Sequence, residues 1–156
     1  MEHMAGLVFA ALVSVLLALF ALAFVLHVRG KLAVAARSRI VWEGKSARVP
    51  LVAAFSGWKG VPWLGFSSSN LKPTLVLHPD HVECRVIRTR RKPYAAVSRV
   101  DYRATLGTRN VVLEFRDCLT SFAGNTANAD VARAAIRLLG EKGCPLSERA
   151  CRLLDG

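Results

Sequence analysis

The chain has 156 residues, 53% of them hydrophobic and 21% charged, and 22 Lys and Arg against 11 Asp and Glu give a formal net charge of +11. With an N-terminal apolar run set aside, about 128 residues remain, which excludes more than one domain of ordinary size. No internal repeat or low-complexity tract is present, so a solenoid is excluded too, and a surplus of basic charge this large suits nucleic acid or an anionic lipid surface.

The apolar run extends from Ala5 to Leu26, carries no charge and contains a single hydroxyl, Ser14. At 1.5 Å per residue it would measure about 33 Å as a helix, against a bilayer core of about 30 Å. A cleaved signal peptide needs a basic leader and a shorter apolar stretch. Here Met1, Glu2, His3 and Met4 precede the run, and none of them is Lys or Arg. The expectation is therefore a transmembrane anchor over residues 1–28. Arg29, Lys31, Arg37 and Arg39 follow it, and basic flanks stay on the cytoplasmic side. That predicts a single-pass protein of the cell (inner or plasma) membrane, with its N-terminus outside and residues 29–156 in the cytoplasm. The lipid bilayer then becomes the expected partner of the +11 charge, ahead of nucleic acid. Cys84, Cys118, Cys144 and Cys151 are scattered, with no CxxC pair, as expected of thiols in a reducing compartment.

Residues 29–71 read as a basic juxtamembrane segment followed by an aromatic-rich linker. Phe55, Trp58, Trp63 and Phe66 lie among glycines, prolines and serines. Trp favours a membrane interface, where its ring is buried and its N–H solvated. Trp58 and Trp63 either rest among headgroups or plug an open end of the domain. Residues 74–78 form a short β-rich run, and His78-Pro79-Asp80-His81 reads as a turn. Residues 82–88 alternate, with Val82, Cys84 and Val86 on one face. Residues 89–93 form a basic connection. Residues 94–102 are the next strand, in which Val97 and Val100 share a face only across a bulge. After a turn at 106–109, Val111, Leu113 and Phe115 point inward from another strand, and residues 119–122 begin the last. Then the period changes. Val131, Ala134, Ala135, Leu138 and Leu139 fall on one helical face, with Asn125 or Asn128 as the cap and Gly140 and Gly143 marking the end. A tail over 141–156 holds a short helix capped by Ser147. About five strands followed by a helix predict an α+β fold, an antiparallel sheet with a helix on one face or end.

The runs PTLVLHPDHVECRVI, YAAVSRVDYR, NVVLEFRD and ADVARAAIRLL together resemble the bacterial pleckstrin-homology-like (PH-like) membrane proteins. The resemblance covers residues 72–140 and implies a bent antiparallel sheet or partial barrel with the C-terminal amphipathic helix plugging one end. A full domain of that kind needs more strands than these runs supply. The others would have to come from residues 38–66.

No glycine-rich phosphate loop, dinucleotide fingerprint or nucleophile elbow is present, so no cofactor is expected. His78 and His81 flank a tight turn, a poor frame for zinc. The acids sit on separate elements, and the chain reads as non-enzymatic. The candidate site is the basic connection with Arg88, Arg90, Arg91 and Lys92. Guanidinium groups grip phosphate in a fork geometry, and the resemblance implies that such inter-strand loops face lipid headgroups. Arg29, Lys31, Arg37, Arg39, Trp58 and Trp63 form the expected membrane interface. Two functions follow: an interaction module that binds a protein partner at the membrane, or a sensor of anionic lipid headgroups through residues 88–92.

Overall fold

The computed structural model describes residues 12–27, 30, 37–59, 61–69, 72–105 and 108–156, with the stretch 61–69 described by its backbone alone. The chain divides into two compact units, Met1–Val34 and Ala35–Gly156.

In the first unit, residues 12–27 form helix α1. The expected membrane span is not found. Among the described residues no helix is long and apolar enough to cross a membrane. The described part of α1 rises about 24 Å, short of a bilayer core of about 30 Å. Residues 1–11, with the start of the expected span, lie outside the described residues. The single-pass membrane location and the direction drawn from Arg29, Lys31, Arg37 and Arg39 are corrected accordingly, since both depended on that span.

Among its described residues the second unit holds ten strands, one 3-10 turn (Tyr94–Ala96) and two α-helices. The strands are β1 (Val41–Glu43), β2 (Ser46–Val49), β3 (Ala53–Trp58), β4 (Val61–Ser69), β5 (Thr74–Leu77), β6 (His81–Arg85), β7 (Thr89–Pro93), β8 (Val97–Thr105), β9 (Thr108–Phe115) and β10 (Thr120–Asn125). Helices α2 (Ala129–Glu141) and α3 (Glu148–Asp155) follow. The strands make two five-stranded sheets, ordered β1-β2-β5-β6-β7 and β4-β3-β10-β9-β8. Every pairing between these strands is antiparallel. The architecture is thus α+β with antiparallel sheets and helices at both ends of the chain.

The linker region supplies four of these strands. β1 and β2 turn over Gly44, whose φ of +62° lies in the left-handed region that a side chain disfavours. β2 then pairs with β5, and β3 with β10. The basic connection is itself a strand, β7, paired among the described residues with β6 alone. Between Val97 and Arg99 the β8–β9 register shifts. That bulge turns both Val97 and Val100 inward, at 1% and 0% exposure, as their spacing requires.

One core joins both sheets to α2. Leu75, Leu77, Val82 and Cys84 come from the first sheet, Val100, Val111, Leu113, Phe115 and Phe122 from the second, and Val131, Ala135, Ile136 and Leu139 from α2. Asn128 caps α2 by accepting the Asp130 N–H at 2.8 Å. Ser147 caps α3 by accepting the Ala150 N–H at 3.1 Å. Between the helices, Val100 N–H donates to the Pro145 carbonyl and Ser147 N–H to that of Val100. This segment runs along the free edge of β8 and delivers α3 beside it.

The core position Phe115 and the exposed hairpin position Ile87 should respond very differently to truncation. Phe115→Ala is expected to cost about 3–5 kcal/mol and Ile87→Ala within about 0.5 kcal/mol, read as shifts in urea unfolding midpoint. Equal shifts would contradict the assignment of the core.

Candidate functional site

The expected basic site is the β6–β7 hairpin. Across it Arg90 pairs with Cys84, Arg91 with Glu83 and Lys92 with Val82. Strand alternation therefore splits the cluster between two faces. Arg91 lies on the face of Glu83 and donates to it at 2.6 Å. Lys92 lies on the other face and pairs with Asp117. The hydrogen bond from Arg91 outweighs the opposing effect of burial and lowers the pKa of Glu83, and that from Lys92 does the same for Asp117. Two of the four cations are thus already balanced by acids.

Arg88 and Arg90 remain. With Ile87, Thr89, Ser56, Ser121 and Phe122 they line a cleft of about 500 Å³. Arg90 reaches across to the Thr120 hydroxyl at 3.1 Å. Thr120 pairs with Trp58, which is 53% exposed, and follows Leu119, which is 78% exposed; Ile87 is 66% exposed. Cys84 lies in the cleft wall, and burial pushes its thiol up to about 12. Such a thiol is inert as a nucleophile at neutral pH.

The other expected site residues do not gather here. Arg37 and Arg39 lie beside Asn128 and Asp130 at the start of α2, around a separate hollow of about 590 Å³. Arg29, Lys31 and the Trp63 side chain lie outside the described residues. The His78 and His81 rings stack at 4.4 Å. His78 Nδ1 is 2.9 Å from the Ser46 hydroxyl and His81 Nδ1 is 2.8 Å from Asp80. Among the described residues no group of three His, Cys, Asp or Glu side chains is placed to hold a metal.

A second site has no precedent in the sequence reading. It is a groove of about 770 Å³ between α3 and the second sheet. Its floor is a row across three strands: Val112 on β9 pairs with Ala123 on β10, which pairs with Phe55 on β3. By alternation this is the face opposite Val111, Leu113 and Phe122. Leu153 adds apolar surface from α3, and Arg103, Arg149 and Arg152 bring three guanidinium groups.

The α3 wall is fixed by Asp101, a carboxylate only 1% exposed. Ser147 donates to its Oδ1 at 2.6 Å. Arg149 donates to Oδ1 at 3.2 Å and to Oδ2 at 2.6 Å, and Arg103 to Oδ2 at 3.1 Å. Its own strand contributes the Tyr102 N–H at 3.0 Å. Burial pushes the Asp101 pKa up. The bonds from Ser147, Arg149 and Arg103 together outweigh that and hold it below the usual aspartate value.

On the groove wall Asn110 donates from Nδ2 to Thr108, but its Oδ1 is buried with no partner among the described residues. A buried acceptor left without a donor costs about 1–3 kcal/mol. Arg152, exposed on α3, has no ion pair with any described residue. The groove thus combines apolar side chains with an exposed cation, Arg152, that has no ion pair among the described residues. Sequence gave two faint signals: Asp101, an acid within the alternation of a strand, and Arg149 and Arg152, three apart on one helix face.

Compared with known proteins, the chain matches no family model and no curated protein.

The Asp101 cluster carries a pH signature. A folded-state pKa below the unfolded value near 3.9 contributes stability that is complete above that value and is lost as pH falls through the folded one. Asp101→Asn should cost about 1–3 kcal/mol at pH 7 by removing the charge that Ser147, Arg149 and Arg103 engage. The gap to the parent chain should narrow below about pH 4, measured by urea unfolding at pH 7 and pH 3. A gap of the same size at both would exclude Asp101 as the source.

Proposed function

We propose that this chain is a non-enzymatic PH-like interaction module that binds a protein partner in the groove between α3 and the β8–β9–β10 face. The observation that carries this reading is the groove itself, with an apolar floor and an arginine wall in one concavity. Binding sites combine apolar surface with a few placed polar groups, and arginine is enriched where proteins meet. The PH-like element of the proposal is supported by two antiparallel sheets closed on one core with the amphipathic helix α2, in the order that the sequence resemblance implies.

A second reading is an anionic-lipid headgroup sensor at the β6–β7 hairpin. It is favoured by the exposed Ile87 beside Arg88, which has no ion pair among the described residues, near Arg90. Against it stand the ion pairs of Arg91 and Lys92, which reduce the charge that the hairpin presents.

The two readings separate in one experiment. The full-length chain is used as bait, and its bound proteins are compared among the parent, Ala123→Leu and an Arg88→Glu/Arg90→Glu double variant. The groove reading expects one partner to be retained by the double variant and reduced at least about tenfold by Ala123→Leu, equivalent to about 1.4 kcal/mol. Loss confined to the double variant, together with its failure to float on phosphatidylserine vesicles that the parent binds, would overturn it in favour of the hairpin.

A further inference from the structure

We infer that one end of the second unit docks on an anionic bilayer, with Trp58, Ile87 and Leu119 entering the hydrocarbon boundary and Arg88 and Arg90 meeting lipid phosphates. This rests on the second reading above, lipid at the β6–β7 hairpin, and adds insertion and two further strand ends. It makes no use of the groove.

The exposed apolar side chains carry it. Among the described residues of the second unit the exposed large hydrophobics are Val41, Trp42, Trp58, Ile87 and Leu119. The last three share one end of the sheets. Ile87 lies in the turn between β6 and β7, Trp58 ends β3, and Leu119 directly precedes β10. Lys59 N–H donates to the Leu119 carbonyl at 3.0 Å, and Arg90 reaches the Thr120 hydroxyl at 3.1 Å, which ties the three connections together. Trp58, Ile87 and Leu119 are 53%, 66% and 78% exposed. A single apolar side chain in water is ordinary, but several at one place mark a contact surface.

Charge selects the partner. Arg88 is exposed and has no ion pair among the described residues, and the one hydrogen bond of Arg90 goes to a neutral hydroxyl. Glu83 on β6 and Asp117 in the β9–β10 turn are engaged by Arg91 and Lys92. The end is thus apolar and cationic at once. A second copy of the chain would set arginine against arginine.

An anionic leaflet matches both properties. It favours each Lys or Arg near its surface by roughly fivefold in partition. It accepts tryptophan at the interface, with the ring buried and the N–H solvated. Arginine can lay its stem along hydrocarbon and keep its guanidinium among phosphates. Insertion is shallow, because turn backbone left without partners is excluded from the hydrocarbon. Only the side chains enter.

The test uses the full-length chain and three variants that each add a tryptophan: Ile87→Trp, Leu119→Trp and Arg137→Trp, the last at an exposed position of α2. Each is mixed with vesicles of phosphatidylcholine and phosphatidylserine whose acyl chains carry bromine, a fluorescence quencher, near the ester end. The readout is local to the added ring, so the apolar α1 in the same chain does not set it. The fluorescence added by Ile87→Trp and by Leu119→Trp should be quenched, and that added by Arg137→Trp should not. Bromine near the methyl end should quench less. Adding Arg88→Glu and Arg90→Glu to Leu119→Trp should remove its quenching with the thermal midpoint unchanged, and so should omitting phosphatidylserine. Added salt should weaken the quenching.

No quenching in Ile87→Trp and Leu119→Trp, equal quenching in Arg137→Trp, or quenching that persists after the two charge reversals would overturn the inference. If quenching is absent but the Arg88→Glu/Arg90→Glu chain floats less well than the parent on phosphatidylserine vesicles, the headgroup reading stands and only insertion falls. If flotation is unchanged as well, both fall.

Discussion

The arrangement of the second unit's C-terminal wall depends on one buried carboxylate. Asp101 sits at 1% exposure on β8 and is held by Ser147, Arg149, Arg103 and the Tyr102 N–H. An unpaired carboxylate at that depth would be expensive to bury. Two guanidinium groups and a hydroxyl make it tolerable, and they also fix geometry. Ser147 does two jobs at once: its hydroxyl donates to Asp101 and accepts the Ala150 N–H at the start of α3. The cap and the clamp are therefore one unit, and α3 is set in place from its first turn.

That placement creates the groove. Residues 145–147 hydrogen-bond along the edge of β8, so the chain covers a strand edge that would otherwise invite pairing. α3 then stands over the outer face of the second sheet, where Val112, Ala123 and Phe55 form an apolar row. The same ion cluster that anchors the helix engages two of the three arginines, whereas Arg152 has no ion pair among the described residues. On the first sheet the situation is reversed. There the basic residues of β7 guard a free strand edge, and Arg91 and Lys92 are balanced by Glu83 and Asp117.

Legibility in the sequence followed local regularity. β5, β6, β8, β9, β10 and α2 were readable because alternation and helical spacing are short-range signals carried by Val, Leu and Phe at fixed intervals. The bulge at Val97 was readable for the same reason, since two inward valines three apart leave no regular alternative. β1 to β4 were not. Their residues include Gly57, Gly65 and a run of serines, and the composition reads as loop. They are strands because β5 and β10 offer them partners. β7 was hidden by its charge: Thr89 to Pro93 has no apolar face, and only pairing with β6 makes it a strand.

The sequence by itself determined the order of the patterned elements and the helix cap at Ser147, and it narrowed the cap of α2 to Asn125 or Asn128; all of these depend on residues within a few positions of each other. It misled on the N-terminal run, where an unbroken apolar stretch suggested a membrane span that the described helix is too short to make. The charge density of the basic run 88–92 was visible along the chain, whereas Glu83 and Asp117, the acids that meet Arg91 and Lys92, were not assigned to it. Tertiary structure alone decided that Lys92 meets Asp117, that Arg149 meets Asp101 across 48 positions, and that a groove exists beside α3. Those contacts join residues far apart in sequence, and no local period encodes which distant carboxylate a guanidinium group will find.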